Sequence, residues 1–483
     1  MKKVVIFFLF VIYCQESSAQ LYGAQWMLGP NTSRMDFRND TVVNDSIRLW
    51  MNTHLTNADI CDSTGNLLFY TNGIYVADGN TGDSILNGNG LSPCLMTSQD
   101  GANGLPFIQG AIFLPMPGND RYVYLFHFSG DIDVNTRPGT LYYSIIDRDG
   151  NGGLGAIISK NVIFFKGDFG GGGMTACKHG NGQDWWIVMH DGHNENYYTF
   201  LLTENGISDT LTQSIGPPYN TNFNNSSAIF SPDGSKYACG AFVGLITVMD
   251  FDRCTGEFSN PITISHEPKP ANISGTGPLA FSPSGRFLYL TDRLDLTQYD
   301  LWNSNIQDSV EIYRADSTDY AQIEFVSLAI NGKIYGSTWN GGFEYLHVVN
   351  YPDSLGHSCG FVRGGQPTLS VNSTNLPNMP NYMLGPLTGS SCDTITAIKD
   401  IASNYQLRCQ PNPANKFLYV EMNAQGNYLL ELVDMTGKAV AVKDTRQVDV
   451  FDTENLSNGV YLLNVIDKHN ADKMLSKEIV VQH

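Results

Sequence analysis

Three observations predict an all-β fold: the composition, a turn-and-strand unit that recurs along the chain, and alternation of apolar and polar residues between the turns. The 483 residues include 48 Gly, 24 Tyr and 25 Phe, and only 16% are charged. Aromatic and β-branched residues favour strands, and frequent glycines favour the tight corners between them. The formal charge of −19 and a pI near 4.8 repel polyphosphates, so nucleic acid is excluded as an expected partner.

The chain opens with "MKKVVIFFLFVIYCQESSAQ". Lys2 and Lys3 precede an apolar run from Val4 to Tyr13, and small residues follow, which predicts a signal peptide over 1–19 cleaved between Ala19 and Gln20. Gln15 stands after Cys14 where lipoprotein processing requires a small residue. No later run reaches the roughly 18 apolar residues of a spanning helix, so no transmembrane helix is expected in the mature chain.

Residues 20–390 carry the repeat. "STGNLLFYT" (Gly65), "MPGNDRYVYLF" (Gly118), "GNGQDWWIVMH" (Gly182), "SPDGSKYACG" (Gly234), "SPSGRFLYLTD" (Gly285) and "INGKIYGSTW" (Gly332) each set a Gly turn before an aromatic strand. The intervals are 53, 64, 52, 51 and 47 residues, the length of a four-stranded propeller blade. Around Gly234 the runs "SAIF", "KYACGAFVG", "LITVMDFDRCTG" and "EFSNPITI" supply four strands, and the next repeat does the same. A six- or seven-bladed β-propeller follows, with seven favoured if "QWMLGP" and "LPNMPNYML" share a closing blade.

The turn "IIDRDGNGGLG" places Asp147, Asp149, Asn151 and Gly152 in the spacing that opens an EF-hand loop. Loop position 12 is Ile158 and the flanks read as strands, so the turn reading is preferred over calcium, and no metal or other cofactor is expected. Eight cysteines remain after the signal; export permits disulfides among them without choosing a pairing. "HEPKP" at His266 lacks the second histidine of a zincin helix, and the glycine-rich "GDFGGGGMTACKHG" lacks the Lys-Ser/Thr ending of a phosphate loop.

A polar linker over 391–406 precedes a last β segment over 407–483, where "FLYVEM", "YLLELVDM", "KAVAVKD", "GVYLLNVID" and "KEIVVQ" alternate around turns. This predicts a small immunoglobulin-like β-sandwich. The pieces "PNPANKF" (Pro411, Asn412, Pro413), "LVDMTGKAV" (Gly437, Lys438), "LSNGVYLLNV" (Gly459, Tyr461) and "KEIVV" resemble, in family order, the C-terminal sorting domain of type IX secretion cargo of the Bacteroidetes. The resemblance implies recognition by an outer-membrane export machinery, removal of the tail, and an extracellular or surface location. "DSTGNLLFYTNGIYV", "NGGLG", "DWWIVMH" and "LPNMPNYMLG" resemble propeller-like domains of such exported proteins, a likeness that implies no activity.

Loops joining the second strand to the third, and one blade to the next, emerge on one propeller face. That geometry nominates Asp131, Asp133, Arg137, His190, His193, Tyr219, His266, Arg293 and Trp339 as a concave ligand site. Aromatic, acidic and basic groups together suit a saccharide or a peptide. The expected function is a non-enzymatic binding or adhesion module for a glycan or extracellular polymer. The alternatives are a polysaccharide hydrolase or lyase using carboxylates from different blades, and a protein-binding surface scaffold.

Overall fold

A computed structural model describes residues 21–29, 33–39, 41–46, 51–94, 97–98, 103–129, 139–169, 172–218, 227–241, 244–266, 277–292, 294–316, 322–338, 342–372, 374–393, 407–422, 426–434, 438–468 and 470–483. The chain divides into two compact units, Met1–Thr396 and Ala397–His483.

Among the described residues the first unit is a ring of seven blades, each of antiparallel strands. Blade 1 has three strands, β1 (Gln25–Leu28), β2 (Ser33–Asp36) and β3 (Val43–Ser46). Blade 2 holds β4 (Ala58–Cys61), β5 (Leu67–Thr71), β6 (Tyr75–Asp78) and β7 (Ser84–Asn89). Blade 3 holds β8 (Ala111–Pro115), β9 (Tyr122–Ser129), β10 (Thr140–Asp147) and β11 (Ala156–Lys166). Blade 4 holds β12 (Thr175–Lys178), β13 (Trp185–His190), β14 (Asn196–Thr203) and β15 (Gly206–Ser214).

Blade 5 holds β16 (Ser227–Phe230), β17 (Lys236–Ala241), β18 (Leu245–Phe251) and β19 (Phe258–Ser265). Blade 6 holds β20 (Leu279–Phe281), β21 (Phe287–Thr291), β22 (Asp295–Asp300) and β23 (Ser309–Arg314). Blade 7 holds β24 (Ile323–Leu328), β25 (Ile334–Thr338), β26 (Tyr345–Val349) and β27 (Phe361–Pro367). The outer strands of blades 2 and 3 touch at one parallel pair, Leu86 with Ala156, which joins the two blades edge to edge.

The six repeated glycines all sit between the first and second strands of their blades, at φ between 71° and 88°. Only glycine adopts that region without strain from a Cβ. Gly182 has a second reason: a Cβ there would lie 2.6 Å from the backbone nitrogen of Pro386. The ring closes where blade 1 packs on blade 7, with the Trp26 and Phe37 rings 5.8 and 5.2 Å from Tyr335.

The closing-blade expectation for "LPNMPNYML" is corrected. Those residues are not a strand of any sheet; they form a strap along the propeller axis, against the innermost strands. Asn378 donates to the carbonyls of Ala111 and Met174, Tyr382 donates to that of Phe113, and Asn381 donates to that of Pro232. The mix of apolar residues and amides suits the axis: Leu376, Met379 and Tyr382 pack on the blades while the Asn378 and Asn381 amides satisfy backbone carbonyls.

The strap ends beside a disulfide, Cys254–Cys392, whose partners are 138 residues apart. The other described cysteines are free thiols, five of them buried. Opening so long a loop should cost about 2–4 kcal/mol. Cys392→Ser is therefore expected to unfold at lower denaturant than the oxidised wild type and to match the wild type under reductant; coincident oxidised curves would show that the disulfide adds nothing.

The second unit is a β-sandwich. One sheet has β28 (Leu407–Gln410), β29 (Phe417–Met422) and β32 (Val448–Asp452); the other has β31 (Ala439–Thr445), β30 (Tyr428–Asp434), β33 (Gly459–Asp467) and β34 (Asn470–Val481). Leu418, Val420, Leu430, Leu432, Phe451 and Leu463 fill the space between them. Among the described residues no helix is long and apolar enough to cross a membrane.

Candidate functional site

Two propeller faces follow from the strand order. The rim face carries the second-to-third-strand loops and the blade-to-blade loops; the turn face carries the remaining corners. Between them lies an axial cavity of about 330 Å³, lined by the strap, by blades 5 to 7, and by Trp26, Ile108 and Thr175 from other parts of the ring. Trp26, Phe230, Phe281, Phe325, Met379 and Met383 give it apolar walls. Among the described lining residues there is no Asp, Glu, Lys, Arg, His or Cys.

Titratable groups gather on the rim instead. On blade 6, His266 places Nδ1 2.8 Å from the Tyr299 hydroxyl and Nε2 3.2 Å from Oδ2 of buried Asp292. Asp292 Oδ1 accepts the backbone N–H of Asp295, and Arg314 donates to Asp295 Oδ2 at 2.7 Å. Burial first, and then the Asp292 charge, push the Asp295 carboxyl up to about 6. Burial likewise pushes the Tyr299 phenol up to about 12, so it stays protonated. The cluster pairs an acid poised near neutrality with an imidazole held between a carboxylate and a phenol.

On blade 4, His193 Nε2 lies 3.2 Å from Oδ2 of Asp168, and its backbone N–H donates to Asp191. Asp191 also accepts the Tyr198 hydroxyl. His190 is the last residue of β13; its ring meets Tyr197 edge-on at 4.5 Å, and burial pushes it down to about 4, so it is neutral at pH 7. Asp131, Asp133, Arg137, Tyr219, Arg293 and Trp339 lie outside the described residues, as do Ala19, Gln20 and Gly437.

The Asp-rich turn has a structural explanation. Arg121 grips Asp147 with two hydrogen bonds of 2.8 and 2.7 Å and holds its carboxyl below the usual carboxylate range. Asn151, Gly152, Gly153 and Gly155 turn the chain at positive φ. The same pairing recurs as Lys236 with Asp250 at 2.7 Å and Arg286 with Asp300 at 3.0 and 2.7 Å. In these three blades a cation at the start of the second strand meets an aspartate at or near the end of the third. No cluster of three or more His, Cys, Asp or Glu among the described residues is arranged to hold a metal.

In the sandwich, Asn412 accepts the N–H of Val480, and the Ala414 N–H donates to the Val480 carbonyl, so the segment after Pro411 and Pro413 is pinned to β34. The Lys438 N–H donates to the Asp434 carboxylate and its carbonyl accepts the Asp434 N–H, Gly459 opens β33, and Tyr461 donates to the Ser457 carbonyl while packing in the core. Seven blades followed by a sandwich define a propeller protein with a separate C-terminal module. Residues 409–482 match the secretion system C-terminal sorting domain, so the chain carries a type IX sorting tail. That tail implies engagement of the type IX machinery and export to the cell surface or beyond it.

Comparison with curated proteins gives no match. Among solved structures, the chain is similar to a putative 6-phosphogluconolactonase from Bacteroides uniformis (14% identity, 73% of this chain and 98% of that one, TM-score 0.46). It is similar to another from Bacteroides fragilis (12%, 73% and 96%, TM-score 0.46) and to the Dos1 propeller (13%, 65% and 84%, TM-score 0.36). At such identities and TM-scores these likenesses say nothing about activity.

Proposed function

We propose that the exported propeller is a binding module that captures a glycan or another extracellular polymer through its rim, without breaking it down. The observation that carries this reading is the axial cavity: its described lining holds no carboxyl, imidazole or amine for acid–base chemistry. The polar groups accessible for recognition lie on the rim, around His193 with Asp168 and around Arg314, which rests on the buried His266, Asp292 and Asp295. The acidic surface favours uncharged or basic ligands over polyanions.

A retention assay of the secreted full chain on immobilised glycans and matrix polymers tests this. Wild type is expected to bind, and the paired change His193→Ala with Asp295→Asn to weaken binding about fivefold or more. Exchanging calcium for a chelator should leave retention unchanged, since Arg121 already occupies Asp147. Hydrolysis is the second reading, favoured only by the raised pKa of Asp295. Release of new reducing ends, abolished by Asp295→Asn, would replace the binding proposal with it.

A further inference from the structure

The turn face carries an exposed aromatic pair that the nominated site does not include. Trp302 is 65% exposed and Tyr351 66% exposed, with Leu355 beside the latter at 56%. They sit on the third-to-fourth-strand turns of neighbouring blades 6 and 7. Gln298, on β22, holds the blade 7 turn against blade 6: its amide donates to the Ser354 carbonyl at 2.9 Å and accepts the Gly356 N–H at 2.8 Å. Tyr289 donates to the Pro352 carbonyl, and Asp353 accepts from Ser284.

Trp302 is fixed as well as exposed. Its backbone N–H donates to Asp300, and its ring lies 5.4 Å from the Arg286 guanidinium, which Asp300 holds by two hydrogen bonds and which also stacks on Phe287 at 4.7 Å. A large ring left in water forgoes its burial energy, and a guanidinium that anchors it removes the rotamer freedom that would otherwise be lost on binding. Exposed Asn303, Asn305 and Asp308 share the turn of Trp302, and exposed Asp353 lies on the turn of Tyr351. Amides and carboxylates beside a flat apolar face match the alternating C–H faces and hydroxyl edges of a sugar.

We infer that Trp302 and Tyr351 form a stacking platform for an uncharged saccharide on the turn face, distinct from the rim. The net charge of −19 disfavours sulfated or uronic polymers. Arg286, the cation against the Trp302 ring, is committed to Asp300 and to two rings. The inference rests on the proposal that the module binds extracellular polymer and adds a second surface for it.

Affinity electrophoresis of the full secreted chain through gels containing uncharged β-glucan, xylan, mannan or starch, with alginate as the anionic control, tests the inference. Retardation is expected in at least one uncharged polymer. Trp302→Ala should weaken it about tenfold, Trp302→Phe less, and Tyr351→Ala measurably, while His193→Ala with Asp295→Asn leaves this component in place. Unchanged thermal unfolding of the Trp302 variants, expected for so exposed a side chain, separates lost binding from lost fold. Retardation unaffected by Trp302→Ala but abolished by the rim variants would overturn this inference alone. Absence of retention on every polymer would overturn the binding proposal itself, and this inference with it.

Discussion

Lowering the pH from 7 to 4 should cost the propeller about 3 kcal/mol through His127 alone, at about 1.4 kcal/mol for each pH unit below the free imidazole value. His127 is fully buried on β9, its ring stacked on Tyr142, with the Ser92 hydroxyl 2.8 Å from Nδ1 and the Ser144 hydroxyl 3.0 Å from Nε2. Hydroxyls donate or accept, so a neutral ring is satisfied on both sides, and burial pushes the imidazole from 6.5 down to about 3. Between those values the unfolded chain binds a proton that the folded chain does not. Stability is therefore complete above about 6.5 and is lost as the pH falls towards 3. His190, pushed down to about 4, adds a loss of the same sign.

The measurement is denaturant unfolding followed by tryptophan fluorescence, which reports the propeller alone because all six tryptophans precede residue 340. His127→Gln should be less stable than wild type at pH 7, and the gap should shrink by about 3 kcal/mol at pH 4. Parallel pH profiles for the two proteins would refute the assignment.

The blades were legible because each repeats a local instruction. A glycine at positive φ can be read as a turn from its neighbours, and an aromatic strand follows it six times. The ring's closure was not legible. The axial strap is an apolar run broken by prolines and asparagines, and what identifies it is the set of carbonyls that Asn378, Asn381 and Tyr382 meet on distant segments. The salt-bridged corners lay between these extremes: aligning "GNDR", "GSK" and "GR" with the aspartates before the third-to-fourth turns would have paired Arg121 with Asp147 and explained the apparent calcium loop. Trp302 left a signal too, as a tryptophan inside the polar turn "DLWNSN". Such a signal is weak beside that of a long loop, yet a short turn presents a ring as firmly as a long one.

Asn378→Asp is expected to be among the most damaging single-atom exchanges in the propeller. The Asn378 amide donates to Ala111 O at 2.9 Å and Met174 O at 3.0 Å, accepts from Gln109 at 3.2 Å, and its backbone N–H donates to Asn57 O at 2.8 Å. Gln109 in turn makes two 2.8 Å bonds to the backbone of Ala228. One buried network thus joins blades 2, 3, 4 and 5 at the axis. A carboxylate would turn two donors into acceptors facing two carbonyl oxygens and would bury a charge without a cation among these partners. The loss should be roughly 3–6 kcal/mol at pH 7. Protonation restores one donor, so the deficit relative to wild type should narrow at pH 5, a comparison in which the histidine effects cancel. Asn378→Ala, which removes the amide without adding charge, should cost less at pH 7, and its deficit should not change with pH. Equal losses for the two variants would mean that the carboxylate reaches water and that the strap is not packed against the inner strands as described.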